Sequence, residues 1–204
     1  IFDSNTGGIY ATNVNINSGG IGVQFVHNFP ETAPPNYGFF TNVLADSQMG
    51  PYGWDFQSAH SMVLTNSWAA TSGNQGMRID KVDGLGIHDS RIYWNNNEGI
   101  YITQNAKNVT ITDSRINGNS RGSSGSKPGI YSHPSAQNVL ISGNTIGQAD
   151  GFGNSQSYGI QVGTGVSKGL LINGNMFTGN VSGSIQNGAT GSNVLVNNNL
   201  TVTP

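Results

Sequence analysis

Gly99-Ile100-Tyr101-Ile102 is one copy of a phrase that runs the length of this chain: glycine, apolar, variable, apolar. The other copies are Gly22-Val23-Gln24-Phe25, Gly53-Trp54-Asp55-Phe56, Gly76-Met77-Arg78-Ile79, Gly129-Ile130-Tyr131-Ser132 and Gly159-Ile160-Gln161-Val162, with Ser184-Ile185-Gln186-Asn187 a weaker last one. The steps between them are 31, 23, 23, 30, 30 and 25 residues. A second strand family is interleaved with the first, in segments such as Ser61-Met62-Val63-Leu64, Asn108-Val109-Thr110-Ile111 and Gly169-Leu170-Leu171-Ile172. These alternate apolar with small or polar residues, the period of a half-buried strand. A polar turn follows each (His88-Asp89-Ser90, Thr112-Asp113-Ser114, Asn173-Gly174-Asn175), and then an apolar residue turns inward: Ile92, Ile116, Ile146 or Phe177. No segment of useful length has a helical period. A repeat of this length built only of strand and turn is a solenoid, one coil per repeat. The expected fold is therefore all-β, a single-stranded parallel β-helix of about seven or eight coils over residues 1–204, with like positions stacked about 4.8 Å apart.

Composition narrows the function. Charged residues make up 9% of the 204, and the formal net charge is −2, so no basic stripe marks a nucleic-acid partner. No run approaches 18 apolar residues, which argues against membrane insertion. Cysteine is absent, so stability must come from stacking rather than from disulfides. Thirty glycines and 27 asparagines suit sharp corners, because Asn tolerates the left-handed backbone and bonds its own turn. The longer steps, around Asn28–Asn36, Arg121–Lys127 and Gly147–Ser157, read as loops leaving the stack. The opening Ile1-Phe2-Asp3 reads as mid-strand, so we expect the C-terminal part of a longer chain.

The variable residue of each glycine-led strand should point outward. Gln24, Asp55, Arg78, Tyr101, Tyr131, Gln161 and Gln186 then form one file. The positions two further on form a second: Val26, Gln57, Asp80, Thr103, His133 and Gly163, and Glu98, just before Gly99, joins the same face. Carboxylates, a guanidinium, phenols and an imidazole on one flat surface suit a sugar chain. Asp55 and Asp80, diagonal neighbours about 7–8 Å apart at Cβ, fit the carboxyl separation of about 6.5–9.5 Å used by inverting glycosidases. Alternatively both simply neutralise Arg78 in a surface cluster. For an elimination, Arg78 would neutralise a uronate carboxylate while Tyr101, Tyr131 or His133 moves the proton; the two tyrosines read equally well as a stabilising aromatic ladder. The candidate catalytic residues are thus Asp55, Asp80, Arg78 and Tyr101, and the candidate substrate-binding residues Gln24, Tyr131, His133, Gln161 and Glu98. Asp89/Arg91 and Asp113/Arg115, at matching places in adjacent coils, read as a charge-neutralising surface ladder, and His88 as a turn residue. No cofactor is expected; a Ca²⁺ shared by Asp55, Asp80 and Asp83 is conceivable from their oxygens, but no Gly-Gly-x-Gly-x-Asp repeat accompanies them.

On these repeats the chain resembles the pectate-lyase-like right-handed parallel β-helix superfamily over nearly its whole length. The closing segments Ile141-Ser142-Gly143-Asn144-Thr145-Ile146-Gly147, Ser157-Tyr158-Gly159-Ile160-Gln161-Val162 and Ile172-Asn173-Gly174-Asn175-Met176-Phe177-Thr178-Gly179-Asn180 look most like bacteriophage tailspikes and tail-borne depolymerases. That resemblance implies an extracellular or virion-tail protein, a homotrimer, that binds and cleaves a bacterial surface polysaccharide by hydrolysis or elimination. A second resemblance is local. Tyr52-Gly53-Trp54-Asp55 is similar to the Tyr-Gly-Phe-Asp-Pro-His motif of mannuronan C-5 epimerases, which carries catalytic Tyr, Asp and His. Here Phe56 and Gln57 stand in place of Pro and His, and His60 comes three residues late. A non-catalytic receptor-binding or structural stack is the rival from another class.

Overall fold

The computed structural model describes residues 1–27, 33–148 and 155–202. Every strand pairing in it is parallel, and three ladders form the three walls of one coil stack. The first wall takes the glycine-led segments in the order Val23–Phe25, Tyr52–Thr65, Gln75–His88, Ile100–Ile102, Ile130–Ser132, Tyr158–Val166 and Gly183–Thr190. The weak copy Ser184–Asn187 belongs to it, with Ile185 over Ile160. The second wall begins at Ile9 and climbs through Gly38, Met62, Leu85, Val109, Val139 and Leu170 to Val194. The third runs from Ile16 through Ala45, Ala69, Ile92, Ile116 and Ile146 to Phe177 and Thr201. Each coil therefore contributes three strand segments. In two coils the first and second walls are one continuous strand, Tyr52–Thr65 and Gln75–His88.

Two of the three junctions between walls turn on a single left-handed residue. Between the first and second walls Gly8, Tyr37, Ser61, Gly84, Asn108, Asn138 and Gly169 all have positive φ; between the second and third, Asn13, Asn42, Asn66, Asp89, Asp113, Gly143, Gly174 and Asn198 do. A single left-handed residue turns an extended chain sharply, and Gly, Asn and Asp pay least for it. This is the physical use of the chain's Gly and Asn content.

Inside, the inward residues of the three walls form one core. Phe25, Phe56, Ile79, Ile102, Ile130 and Ile160 are fully buried, as are Ile92, Ile116, Ile146 and Phe177 of the third wall. Phe2, Phe25 and Phe56 stack at centroid distances of 5.2 and 4.8 Å. Two polar ladders line the corners. Asn144 Nδ2 donates to Asn175 Oδ1 and Asn175 Nδ2 to Asn199 Oδ1, at 2.9 and 3.0 Å. Asn95 Nδ2, Asn119 Nδ2 and Gln156 Nε2 donate in turn to Asn119, Gln156 and Asn180, at 2.8, 2.9 and 3.0 Å. Each amide answers backbone groups that its corner leaves unpaired. Of the expected loops, Arg121–Lys127 is a run of turns closed by Ser126 N–H to Ser123 O and Gly125 N–H to Ser155 O. The centres of the other two, 28–32 and 149–154, lie outside the described residues.

Candidate functional site

The register of the first wall places Gln24 beside Asp55, Asp55 beside Arg78, Arg78 beside Tyr101, Tyr101 beside Tyr131, Tyr131 beside Gln161 and Gln161 beside Gln186. The expected outward file exists as a continuous row. Beside it, Thr103 Oγ1 donates to Asp80 Oδ1 at 2.6 Å, which fixes the second file, and the His133 backbone N–H bonds Ile102 O to continue it. The residues of the candidate face are brought together.

Their accessibility departs from the open surface expected. Asp55 leaves the barrel outward, yet its side chain has no exposed area. Gln24 Nε2 and Gln57 Nε2 donate to its Oδ2 at 3.1 and 2.9 Å, and Arg78 Nε to its Oδ1 at 2.7 Å. The cover comes from long side chains of the neighbouring coils, which strand spacing brings within reach of a short carboxylate. Arg78 remains 28% exposed and lies over the ring of Tyr52, 4.6 Å from its centroid. Asp55 thus anchors a guanidinium held between a carboxylate and an aromatic face.

Asp80 does not share that guanidinium. It lies in the second file, where Thr103 and Asn105 Nδ2 (2.9 Å) both donate to its Oδ1, so the expected Asp55–Arg78–Asp80 cluster reduces to the Asp55–Arg78 pair. Asp83 is bonded separately by Asn108 Nδ2 at 2.6 Å. Among the described residues no three His, Cys, Asp or Glu side chains group around a common point. Glu98 is likewise covered: Gln75 Nε2 donates to its Oε2 at 2.9 Å and Lys127 Nζ lies 3.3 Å from its Oε1. On the third wall Arg91 and Arg115 align as expected. No ion pair joins them to Asp89 or Asp113 among the described residues; Arg91 packs instead between Trp68 and Tyr93. The carboxylates sit on the left-handed corner and are carried away from the strand.

Further along the file, Tyr101 and Tyr131 stack with centroids 5.0 Å apart and planes 11° from parallel. Burial first, then the neighbouring Tyr101 and Glu98, push the Tyr131 phenol above its ordinary value, so it holds its proton. The His133 Nδ1 accepts the Ser135 backbone N–H at 3.1 Å, which leaves the neutral ring its proton on Nε2. Gln161 Nε2 donates to Gln186 Oε1 at 2.7 Å. Beyond Tyr131 a cleft of about 310 Å³ opens, lined by Tyr131, Gln161, Gly163, Thr164, Gln186 and Gly188. Gly163 makes room there: a Cβ on it would stand 2.7 Å from the Tyr131 hydroxyl. His60 and His88 lie off this face. His60 pairs in register with Asn36 and Asp83 near the corner, and His88 Nδ1 meets Thr112 Oγ1 at 2.8 Å on the second wall.

Gln75 and Lys127 are site residues that the sequence reading passed over; Tyr52 entered it through the epimerase-like motif and Gln57 through the second file, neither as a partner of the Asp55–Arg78 pair. Tyr52 and Gln75 share a register position one residue before the glycine, so extending the alignment upstream by one column exposes them. Lys127 comes from the Arg121–Lys127 loop and has no such signal.

Comparison with known proteins adds three findings. Residues 39–201 match the family model described as a right-handed β-helix region. No curated protein matches the chain. Among solved structures, the A-module of the Azotobacter vinelandii mannuronan C-5 epimerase AlgE6 superposes with a TM-score of 0.70 at 14% identity, covering 99% of this chain and 60% of that one. The AlgE4 A-module from the same organism gives 0.58 at 17% identity, covering 91% and 58%. The chain thus spans about three fifths of the length of these modules, and at such identities the likeness is one of fold.

Proposed function

Because the chain belongs to the right-handed β-helix family and carries Arg78, Tyr101, Tyr131 and His133 along one wall, we propose that it binds an acidic polysaccharide and removes the C5 proton of a uronate residue. The observation that carries this reading is the Asp55–Arg78 pair. A fully covered carboxylate holds a partly exposed guanidinium on a face of amides, phenols and an imidazole, whose other carboxylates, Asp80 and Glu98, are hydrogen-bonded by Thr103, Asn105 and Gln75. Arg78 would neutralise the sugar carboxylate, which lets the C5–H bond ionise. Tyr101, one coil further on, is the group we assign to take the proton, acting as the phenolate after releasing its own proton to solvent, and Tyr131, which keeps its proton, is the donor. His133 offers Nε2–H to a hydroxyl. In an elimination the C5–H electron pair becomes the C4–C5 double bond as the C4–O bond breaks, and the departing oxygen takes the Tyr131 proton. In an epimerisation a proton returns to C5 from the opposite side and no backbone bond breaks.

Hydrolysis by Asp55 and Asp80 fits less well, since both Asp55 oxygens are already occupied and out of solvent. The cleaving outcome is that of a depolymerase of bacterial surface polysaccharide, the virion-tail setting the closing strands resemble. The non-cleaving outcome is the activity named for the two structural neighbours. A second reading, a non-catalytic binding module, draws on the mutual saturation of the face, where Gln24, Gln57 and Arg78 satisfy Asp55 and Gln161 satisfies Gln186.

The test incubates the chain with polymannuronate, polygalacturonate and a uronate-containing capsule. Ultraviolet absorbance of unsaturated uronate reports elimination, and proton NMR of the sugar ring reports C5 inversion. Either signal, lowered about 100-fold in Arg78→Ala, supports the proposal. New reducing ends without unsaturation would assign hydrolysis, and binding without any change in the polymer would assign the module.

A further inference from the structure

The second wall has an unusual outward face. Its central file is Tyr10, Phe39, Val63, Gly86, Thr110, Leu140, Leu171 and Leu195, stacked in register from one end of the helix to the other. On one side runs Thr12, Thr41, Thr65, His88, Thr112, Ser142, Asn173 and Asn197, and on the other the corner residues from Gly8 and Tyr37 to Gly169 and Asn193. None of these positions holds Asp, Glu, Lys or Arg. Charged side chains stand only along the borders, Asp83, Lys107 and Lys168 before the corner and Asp89 and Asp113 after the wall. An uncharged apolar centre with a charged rim is the anatomy of a protein interface.

We propose that this wall is where a second copy of the chain docks, with the two helices antiparallel about a twofold axis. Size supports a protein partner of this kind. Seven coil steps of about 4.8 Å make a strip about 34 Å long and roughly 15 Å wide, on the order of 500 Å² per copy and 1,000 Å² in all, where specific interfaces begin. Shape supports the direction. At the first coils the wall carries projecting rings: Tyr10 is 77% and Phe39 44% exposed, stacked on each other at 5.4 Å. Past the middle it is hollow, with an open groove of about 610 Å³ lined by Asn138, Leu140, Lys168, Gly169, Leu171 and Asn193; a smaller groove of about 370 Å³ lies at Val63, Gly86 and Thr110, and Leu195 projects from the last coil. Reversing one copy sets Phe39 of each over the groove of the other at Leu171 and Tyr10 against the side chain of Leu195, with the central grooves facing; parallel copies would oppose ring to ring along both first coils. The stacked rings also present their edges outward rather than their faces, which suits side-chain packing better than a sugar ring. The twofold is self-complementary, as an isologous contact requires, whereas a threefold arrangement would bring this wall against a different one.

This proposal is independent of the chemistry assigned to the first wall. The native chain has no cysteine, so a disulfide trap is clean. Sedimentation velocity of the full chain over a wide concentration range should show a reversible monomer–dimer equilibrium in the micromolar range, weakened at least about 10-fold by Phe39→Lys or Leu171→Lys, with an unchanged far-ultraviolet spectrum. Phe39→Cys and Leu171→Cys chains, mixed and oxidised, should cross-link to each other and not to themselves. A monomer at every concentration, a trimer, or a dimer trapped as Phe39→Cys with itself overturns the proposal.

Discussion

Arg78 Nε and Asp55 Oδ1, 23 residues apart in the chain, lie 2.7 Å apart one coil above the other, and the carboxylate is sealed from solvent while the guanidinium is not. The pair is asymmetric: one partner is structural ballast for the other. That asymmetry separates two kinds of substitution.

Asp55→Ala removes the acceptor for Gln24, Gln57 and Arg78 together and leaves their donors around a cavity. We expect a loss of about 2–3 kcal/mol in urea unfolding, below the range for a fully buried pair because Arg78 is partly solvated. Arg78→Ala leaves the sealed Asp55 carboxylate without its counter-charge, so it should cost at least as much stability, and turnover besides. An unchanged denaturant midpoint for Arg78→Ala would contradict the assignment.

Tyr131 and Tyr93 both have phenols raised above the ordinary 10.0, each chiefly by burial, with Asp46 next for Tyr93 and Arg91 opposing. The folded chain therefore disfavours both phenolates. Their contribution to stability is complete below the unfolded tyrosine value and is lost as pH rises through the folded values. Chemical denaturation between neutral and strongly alkaline pH should show this decline, and Tyr93→Phe with Tyr131→Phe should flatten it. Under the proposed chemistry Tyr131→Phe also lowers elimination while the stack on Tyr101 persists.

Asn119 both donates to Gln156 and the Ile92 carbonyl and accepts from Asn95, side chain and backbone. Asn119→Ala orphans several buried groups at once, each costing about 1–3 kcal/mol. A net loss of about 3 kcal/mol is expected from the denaturant midpoint at constant slope. Asn119→Asp, which keeps acceptors but loses the donors, should recover only part of it.

Gly163→Ala introduces a Cβ against the Tyr131 hydroxyl and 3.1 Å from Pro134 Cδ. Its backbone is ordinary, so the change acts on the cleft rather than on a turn. With a polymer substrate, KM should rise several-fold with little change in Tm. A fall in Tm of many degrees would instead make Gly163 a folding residue.

Much of this protein could be read from its sequence. The glycine-led phrase and the alternating strands put Gln24, Asp55, Arg78, Tyr101, Tyr131, Gln161 and Gln186 in one row, and the row is there. The Asn- and Gly-rich turns became left-handed corners for the reason those residues are favoured there. Lost from view were contacts made by side-chain length and by corners. That Asp55 would be covered, that Asp80 would turn to Thr103 and Asn105, and that Arg91 would prefer Trp68 and Tyr93 to Asp89 depends on a few ångströms of reach.

The repeat period decided the coil, the inward and outward alternation, and which residues share a level, because strand pairing allows only a period of two and one stacking distance. Tertiary structure alone decided which polar groups stay open to a ligand, how the first wall opens into a cleft at Gly163, and that the second wall is free of charge between charged borders. Those properties belong to neighbouring coils acting together: a side chain is covered or exposed by residues 20 to 30 positions away, which a single copy of the repeat does not contain.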